Sequence, residues 1–155
     1  MARLEVPLLS KKVWATGDQM LRAELDLLIR DENGNWRPET FRVDSDSEMT
    51  SMAAARARAL DLPIPRKPVL LDVGGVRREV RAGLIRVQVV GMDGTEHHFP
   101  CYFLGRPDLT PDPTQSPVIA RNLLSLTGVV DKLRIHFDGT PSPGARHGIM
   151  IVEKL

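Results

Sequence analysis

The chain has 155 residues, 42% hydrophobic and 26% charged, which suits one soluble domain around a single core and is too short for two independent lobes. Its 21 Lys and Arg against 20 Asp and Glu leave a net charge of +1, so no overall field draws it to nucleic acid or to an anionic membrane, and neither is expected as a partner. A single cysteine, Cys101, excludes an internal disulfide and points to a reducing, cytoplasmic location, while 5% aromatic residues argue against a base-stacking surface.

The first residues, MARLEVPLLSKKVWATG, lack the uninterrupted apolar run of a signal peptide, because Lys11 and Lys12 follow Leu8 and Leu9. Residues 1–18 read as an N-terminal extension and residues 19–155 as one domain. The longest apolar stretches, LIRVQVV and GIMIV, fall far below the ~20 residues of a membrane helix. Twelve glycines and twelve prolines cut the chain into short pieces, most of which alternate as strands do, so a mostly β fold with one or two short helices is expected.

MLRAELDLLIRD and WRPETFRVD read as a hairpin turning at Asn33-Gly34, with a helix over Gln19–Arg30 as the competing reading of its first half. SEMTSMAAARARALDL predicts the clearest helix, about three turns long and stopped by Pro63 and Pro65. VLLDVGGVRREVR then reads as two short strands around Gly74-Gly75, and LIRVQVVG and EHHFPCYFLG as two more around Asp93-Gly94. RPDLTPDPTQSP predicts an exposed irregular loop, and VIARNLLSLTG a strand end with a short helix. KLRIHFDG and GIMIVEKL close the chain as strands separated by TPSPGARH.

Chemistry concentrates in FRVDSDSEMTSM, where an apolar strand delivers Asp44, Ser45, Asp46, Ser47 and Glu48 to the start of the expected helix. Ser45 and Glu48 fit an S-x-x-E capping box, so a small structural β domain with a helix cap here is one reading. His97, His98 and Cys101 form HHFPC, but adjacent strand residues face opposite ways and no fourth ligand is near, so no metal is expected. Arg77, Arg78 and Arg81 read as a solvated strand face. No G-x-S-x-G segment supports a serine nucleophile, and no cofactor is implied.

Three segments in order carry a family pattern: Asp44-Ser45 with Thr50 downstream, the Gly-rich VLLDVGGVRREV, and PVIARNLLSLTG. With them the sequence resembles the retropepsins, the retroviral-type aspartic proteases and their cellular relatives, from about Met20 to Asp138. The resemblance implies a retropepsin-like closed β-barrel, the acid protease fold, working as a homodimer on a peptide or protein substrate. Asp44 would then be catalytic, with Ser45 bonding across the two-fold axis beneath it, and Ser47 and Thr50 beside the motif. Val73, Gly74, Gly75 and Val76 would form a flap, while Glu48, Ala120, Arg121 and Asn122 would brace the dimer base, Arg121 pairing with Glu48. The final strand would supply intersubunit sheet. Two carboxylates held together cannot both ionise, so they share a proton, and one activates water while the other hydrogen-bonds the scissile carbonyl. With one copy of the motif per chain, the pair requires Asp44 from two subunits. Asp46 and Ala120 stand where the family has glycine, which leaves a catalytically impaired dimer that binds extended peptides by strand addition as the alternative.

Overall fold

Leu25, Leu27 and Ile29 share one face of strand β4 (Glu24–Arg30) and are all buried, while Asp26 between them is exposed. That period-two alternation is the signature of a strand with one face on the core. In the computed structural model, which describes residues 2–12, 16–73, 76–104 and 122–155, β4 pairs along its whole length with antiparallel β5 (Trp36–Val43). The connecting turn is built by Asp31, whose carboxylate accepts the N–H groups of Asn33 at 2.9 Å and Asn35 at 2.8 Å, while Gly34 takes φ +84°. This is the hairpin expected from Asn33-Gly34.

Thr50–Ala53 is β6, followed by helix α1 (Ala54–Ala59), and a long antiparallel hairpin joins β7 (Val69–Val73) to β8 (Val76–Val89). The last described pair of that hairpin is Val73 opposite Val76, and the expected flap tip, Gly74-Gly75, lies outside the described residues. β9 (His97–Leu104) and β10 (Asn122–Leu124) complete the set. The strands run β4-β5-β10-β6-β9-β8, and β8 returns to β4 through Leu27 opposite Val89 and Ile29 opposite Val87, closing a six-stranded barrel. Closure leaves no edge in that ring and encloses Phe41, Phe99, Phe103, Met52 and Leu124, all at most 1% exposed. The chain is thus mostly β with the closed barrel expected of it.

Two helices were expected to be longer or present and are not. The alanine-rich segment opens as β6, because Thr50–Ala53 pairs in parallel with Cys101–Leu104 of β9 and buries Thr50, Ser51 and Met52; only six helical residues remain. Tertiary pairing here overrides alanine's helix propensity. Asn122–Leu124 likewise does not open a helix: it is inserted between β5, parallel, and β6, and turns follow it. The expected loop over 106–117 lies outside the described residues. Among those described, no helix is long and apolar enough to cross a membrane.

The chain ends form a separate sheet. β12 (Ile149–Lys154) lies between β1 (Arg3–Pro7) and β11 (Leu133–Asp138), antiparallel to both. Both edges of β12 are therefore occupied within one chain, which corrects the expectation that GIMIVEKL adds sheet to a partner. The segment expected as an extension supplies β1 and also β2 (Leu9–Lys12), which among the described residues pairs only with β3 (Gln19–Arg22).

The C-terminal strand is pinned by Lys154, whose Nζ donates to Asp93 Oδ2 at 3.2 Å and to Thr95 Oγ1 at 3.0 Å. Hydrogen bonds from the Thr95 backbone and hydroxyl, helped by Lys154, hold the Asp93 carboxyl down at about 2. A carboxyl lowered on folding adds stability at pH above its ordinary value of 3.8 and loses it as the pH falls toward about 2. Asp93→Asn should therefore unfold at lower temperature than wild type at neutral pH, and the difference should shrink across that acidic window in a thermal-unfolding series.

Candidate active site

β5 reaches its end over the fully buried Phe41, with parallel β10 beside it, so Asp44 leaves the barrel at a fixed point: its N–H donates to the Leu124 carbonyl at 2.9 Å. Its carboxylate is held as well. Oδ1 accepts the Asp46 N–H at 3.0 Å, Oδ2 accepts the Ser47 hydroxyl at 3.1 Å, and the Ser47 N–H returns to the Asp44 carbonyl at 3.3 Å. Asp side chains that capture the backbone two residues on build such turns. The turn presents Ser45, Asp46 and Glu48 to solvent and leaves Asp44 half-buried.

The helix-cap reading of this segment is overturned. Helix α1 starts only after β6, its N-cap is Ala53, and no side chain caps it. Asp44 and its neighbours organise a turn at a strand end instead.

A buried network locks the turn to the second motif. Thr50, fully buried, accepts the Ser125 N–H on Oγ1 at 3.0 Å, and the Ser125 hydroxyl donates to the Ser47 carbonyl at 2.7 Å while accepting the Thr127 N–H at 3.1 Å. Sequence reasoning named Thr50 and Ser47 but missed Ser125, whose only signal is that it directly follows Asn122-Leu123-Leu124. Ser125→Ala removes two of these bonds, one of them to the part-buried Ser47 carbonyl, and should cost about 1–3 kcal/mol, read by chemical denaturation.

Asn122 works inside the chain. Its Nδ2 donates to Glu39 Oε2 at 2.5 Å and to the Thr40 carbonyl at 3.2 Å, and Glu39 also takes Arg56 of α1, so Asn122 ties β10 to β5 and to the helix. Ala120 and Arg121, the expected partner of Glu48, lie outside the described residues, as do Gly74 and Gly75. Asp46, at the family's glycine position, does not need a left-handed backbone: among the described residues Asp61 alone, apart from glycines, has positive φ. Its side chain therefore carries no backbone strain there, and what it brings is charge.

Two cavities adjoin the Asp44–Glu48 turn. One, of about 480 Å³, is lined by Asp44 with Arg22, Arg42, Met20, Leu21 and Phe137. The other, of about 370 Å³, is lined by Asp46, Ser47, Glu48, Ser51, Asp72 and Tyr102. Asp72 belongs to β7, so the β7–β8 hairpin reaches the same space as the turn. A half-buried carboxylate with both oxygens held by donors, opening on clefts wide enough for side chains, is equipped to take a proton from water. One chain places a single such carboxylate at this strand end.

The histidines stand apart from this site. His97 is buried and stacked on Phe99 with centroids 6.0 Å apart, and burial lowers its pKa; His98 is exposed, 3.2 Å from Glu96. Cys101 is buried, and burial pushes its thiol up to about 12. It therefore behaves as a small core side chain.

No protein-family model and no curated protein matches the sequence. Among solved structures, the chain is similar to a retropepsin-like aspartic protease from Rickettsia conorii, with a TM-score of 0.51, 11% identity, and coverage of 97% of this chain and 98% of that one. At that identity the likeness is one of fold.

Proposed function

We propose that this chain is an aspartic endopeptidase of retropepsin type, in which Asp44 from each of two identical subunits forms the catalytic pair. The observation that carries the reading is the placement of Asp44: at a barrel strand end, half-buried, both carboxylate oxygens held by the next turn, and open to a cavity. The fold shared with an aspartic protease supports it.

In this reading the two Asp44 carboxylates share one proton, because like charges in contact push their two ionisations apart. The ionised member takes a proton from water, which attacks the scissile carbonyl, and the protonated member hydrogen-bonds the carbonyl oxygen. Collapse of the tetrahedral species passes a proton to the leaving amine, with no covalent enzyme intermediate. Ser47 and Asp46 orient the carboxylate through the bonds given above, and the β7–β8 hairpin covers the bound peptide. The substrate is an extended peptide or protein segment, met in the cytoplasm.

Asp46 bears on a second reading, a dimer that binds peptides without cutting them, because a third carboxylate beside the pair raises its proton affinity. Asp46→Gly decides between them. Under the peptidase reading wild type cleaves peptide substrates at acidic pH, and the variant shifts the pH profile of cleavage downward, since fewer nearby negative charges hold the proton on. Cleavage that appears only in Asp46→Gly would instead mark wild type as impaired.

A further inference from the structure

Three neighbouring strands of the barrel turn side chains outward onto one patch. On β6, Thr50 joins the buried network with Ser125 and Met52 lies in the core, so Ser51 between them faces the other way. Tyr102 and Leu104 alternate in the same manner with the buried Cys101 and Phe103 of β9, and Leu123 with the buried Asn122 and Leu124 of β10. These four residues floor the cavity of about 370 Å³, and Asp46, Glu48 and Asp72 stand around it. Ser47 lines it too, and the Ser47 hydroxyl donates to Asp44 Oδ2, so the cavity lies one side chain away from the proposed catalytic carboxylate.

Two features separate this cavity from a merely acidic surface. Ser51 is 8% exposed, yet its hydroxyl has no hydrogen-bond partner among the described residues. A polar group so deeply buried ordinarily has one, and the side left open to this hydroxyl is the cavity. The three carboxylates are unmatched as well: among the described residues none has an ion-pair partner, and Arg77, directly opposite Asp72 in the β7–β8 hairpin, forms no pair with it. No described basic residue lines the cavity. In a chain whose net charge is only +1, that is a local imbalance.

We propose that this cavity is a specificity site for a lysine or arginine side chain of the substrate, seated beside the bond that is cut. The inference rests on the peptidase reading and names its substrate class, peptide segments with a basic residue next to the scissile bond. Tyr102, Leu104 and Leu123 pack the methylene stem, since long basic side chains bury their stems along apolar surface. The charged head donates to the Ser51 hydroxyl and to the carboxylates around it, acceptors with no competing partner. An acidic side chain is repelled from the same place, and an apolar one leaves the hydroxyl unpaired, so the cavity discriminates against both.

The test is cleavage, by the full chain, of a peptide set in which each residue flanking the scissile bond is varied in turn among lysine, norleucine and glutamate. At one flanking position lysine should raise kcat/KM over norleucine on the order of 10-fold or more, the worth of a charge-assisted hydrogen bond. Glutamate there should fall below norleucine, and the lysine advantage should shrink as salt is added. Asp72→Asn and, separately, Ser51→Ala should each cut that advantage several-fold; because it is a ratio within one sample, a loss of folded protein cancels out of it. A wild type that favours norleucine or shows no preference at every position, or a lysine advantage unchanged in both variants, would overturn the inference and leave the peptidase reading standing. If wild type cuts no peptide in the set, the peptidase reading falls, and titrating the same peptides, fluorescently labelled, against the protein decides the cavity: tighter binding of the lysine peptides upholds it, and equal binding overturns it.

Discussion

Asp44→Asn should all but abolish peptide cleavage, with a loss on the order of 10²- to 10⁴-fold, the size expected when a general acid/base group is removed. The substitution is nearly isosteric, and its consequences for the fold are small. The amide oxygen still accepts the Asp46 N–H, and the Ser47 hydroxyl, which rotates freely about its bond, turns from donor to acceptor toward the new amide nitrogen. The backbone bond from residue 44 to the Leu124 carbonyl is untouched. Melting temperature and sedimentation should therefore match wild type while activity falls, separating chemistry from folding. Retained cleavage in a folded Asp44→Asn protein would remove Asp44 from the mechanism.

The largest effect on stability is expected at Phe41. It is fully buried on β5, opposite Leu25 on one side and Asn122 on the other, so it fills the junction where the barrel meets the second motif. Phe41→Ala leaves a cavity there and should cost about 3–5 kcal/mol. For a domain of this size that lowers the melting temperature by roughly 6–20 °C. Because Phe41 lies under the strand end that carries Asp44, the folded fraction of the variant should also cleave more slowly, with kcat rather than KM taking most of the loss. A stability change under about 1 kcal/mol would show that the junction repacks around the missing ring.

These two residues also show what the sequence makes legible. The Asn33-Gly34 pair and the alternation of WRPETFRVD were enough to place β4, β5 and their turn against the competing helix, because local chemistry decides a tight hairpin. Asp44 stood out through the resemblance, because Asp44-Ser45, VLLDVGGVRREV and PVIARNLLSLTG fall in the retropepsin order, and the structure puts it at the end of β5. Thr50–Ala53 was misread because its helix propensity is local while its partners, β9 and β10, are distant in sequence. Asn122–Leu124 was misread for the same reason. Neither the pairing of β1 with β12 nor the isolation of β2–β3 leaves a mark on local pattern, since both depend on which distant edge is free. Ser125 was invisible for another reason: a serine becomes a buried link only through the particular carbonyl and hydroxyl set against it, here those of Ser47 and Thr50.

The central claim is that each chain supplies half of one active site, and mixing subunits tests it most directly. Wild type and Asp44→Asn protein, dissociated by dilution, combined in varied proportions and re-concentrated, form mixed dimers if the interface is symmetric. With a shared pair of Asp44 carboxylates, a mixed dimer holds one carboxylate and is inactive, so activity should follow the square of the wild-type fraction. Activity that instead follows the wild-type fraction linearly would show that each chain carries a complete site, and would contradict the account.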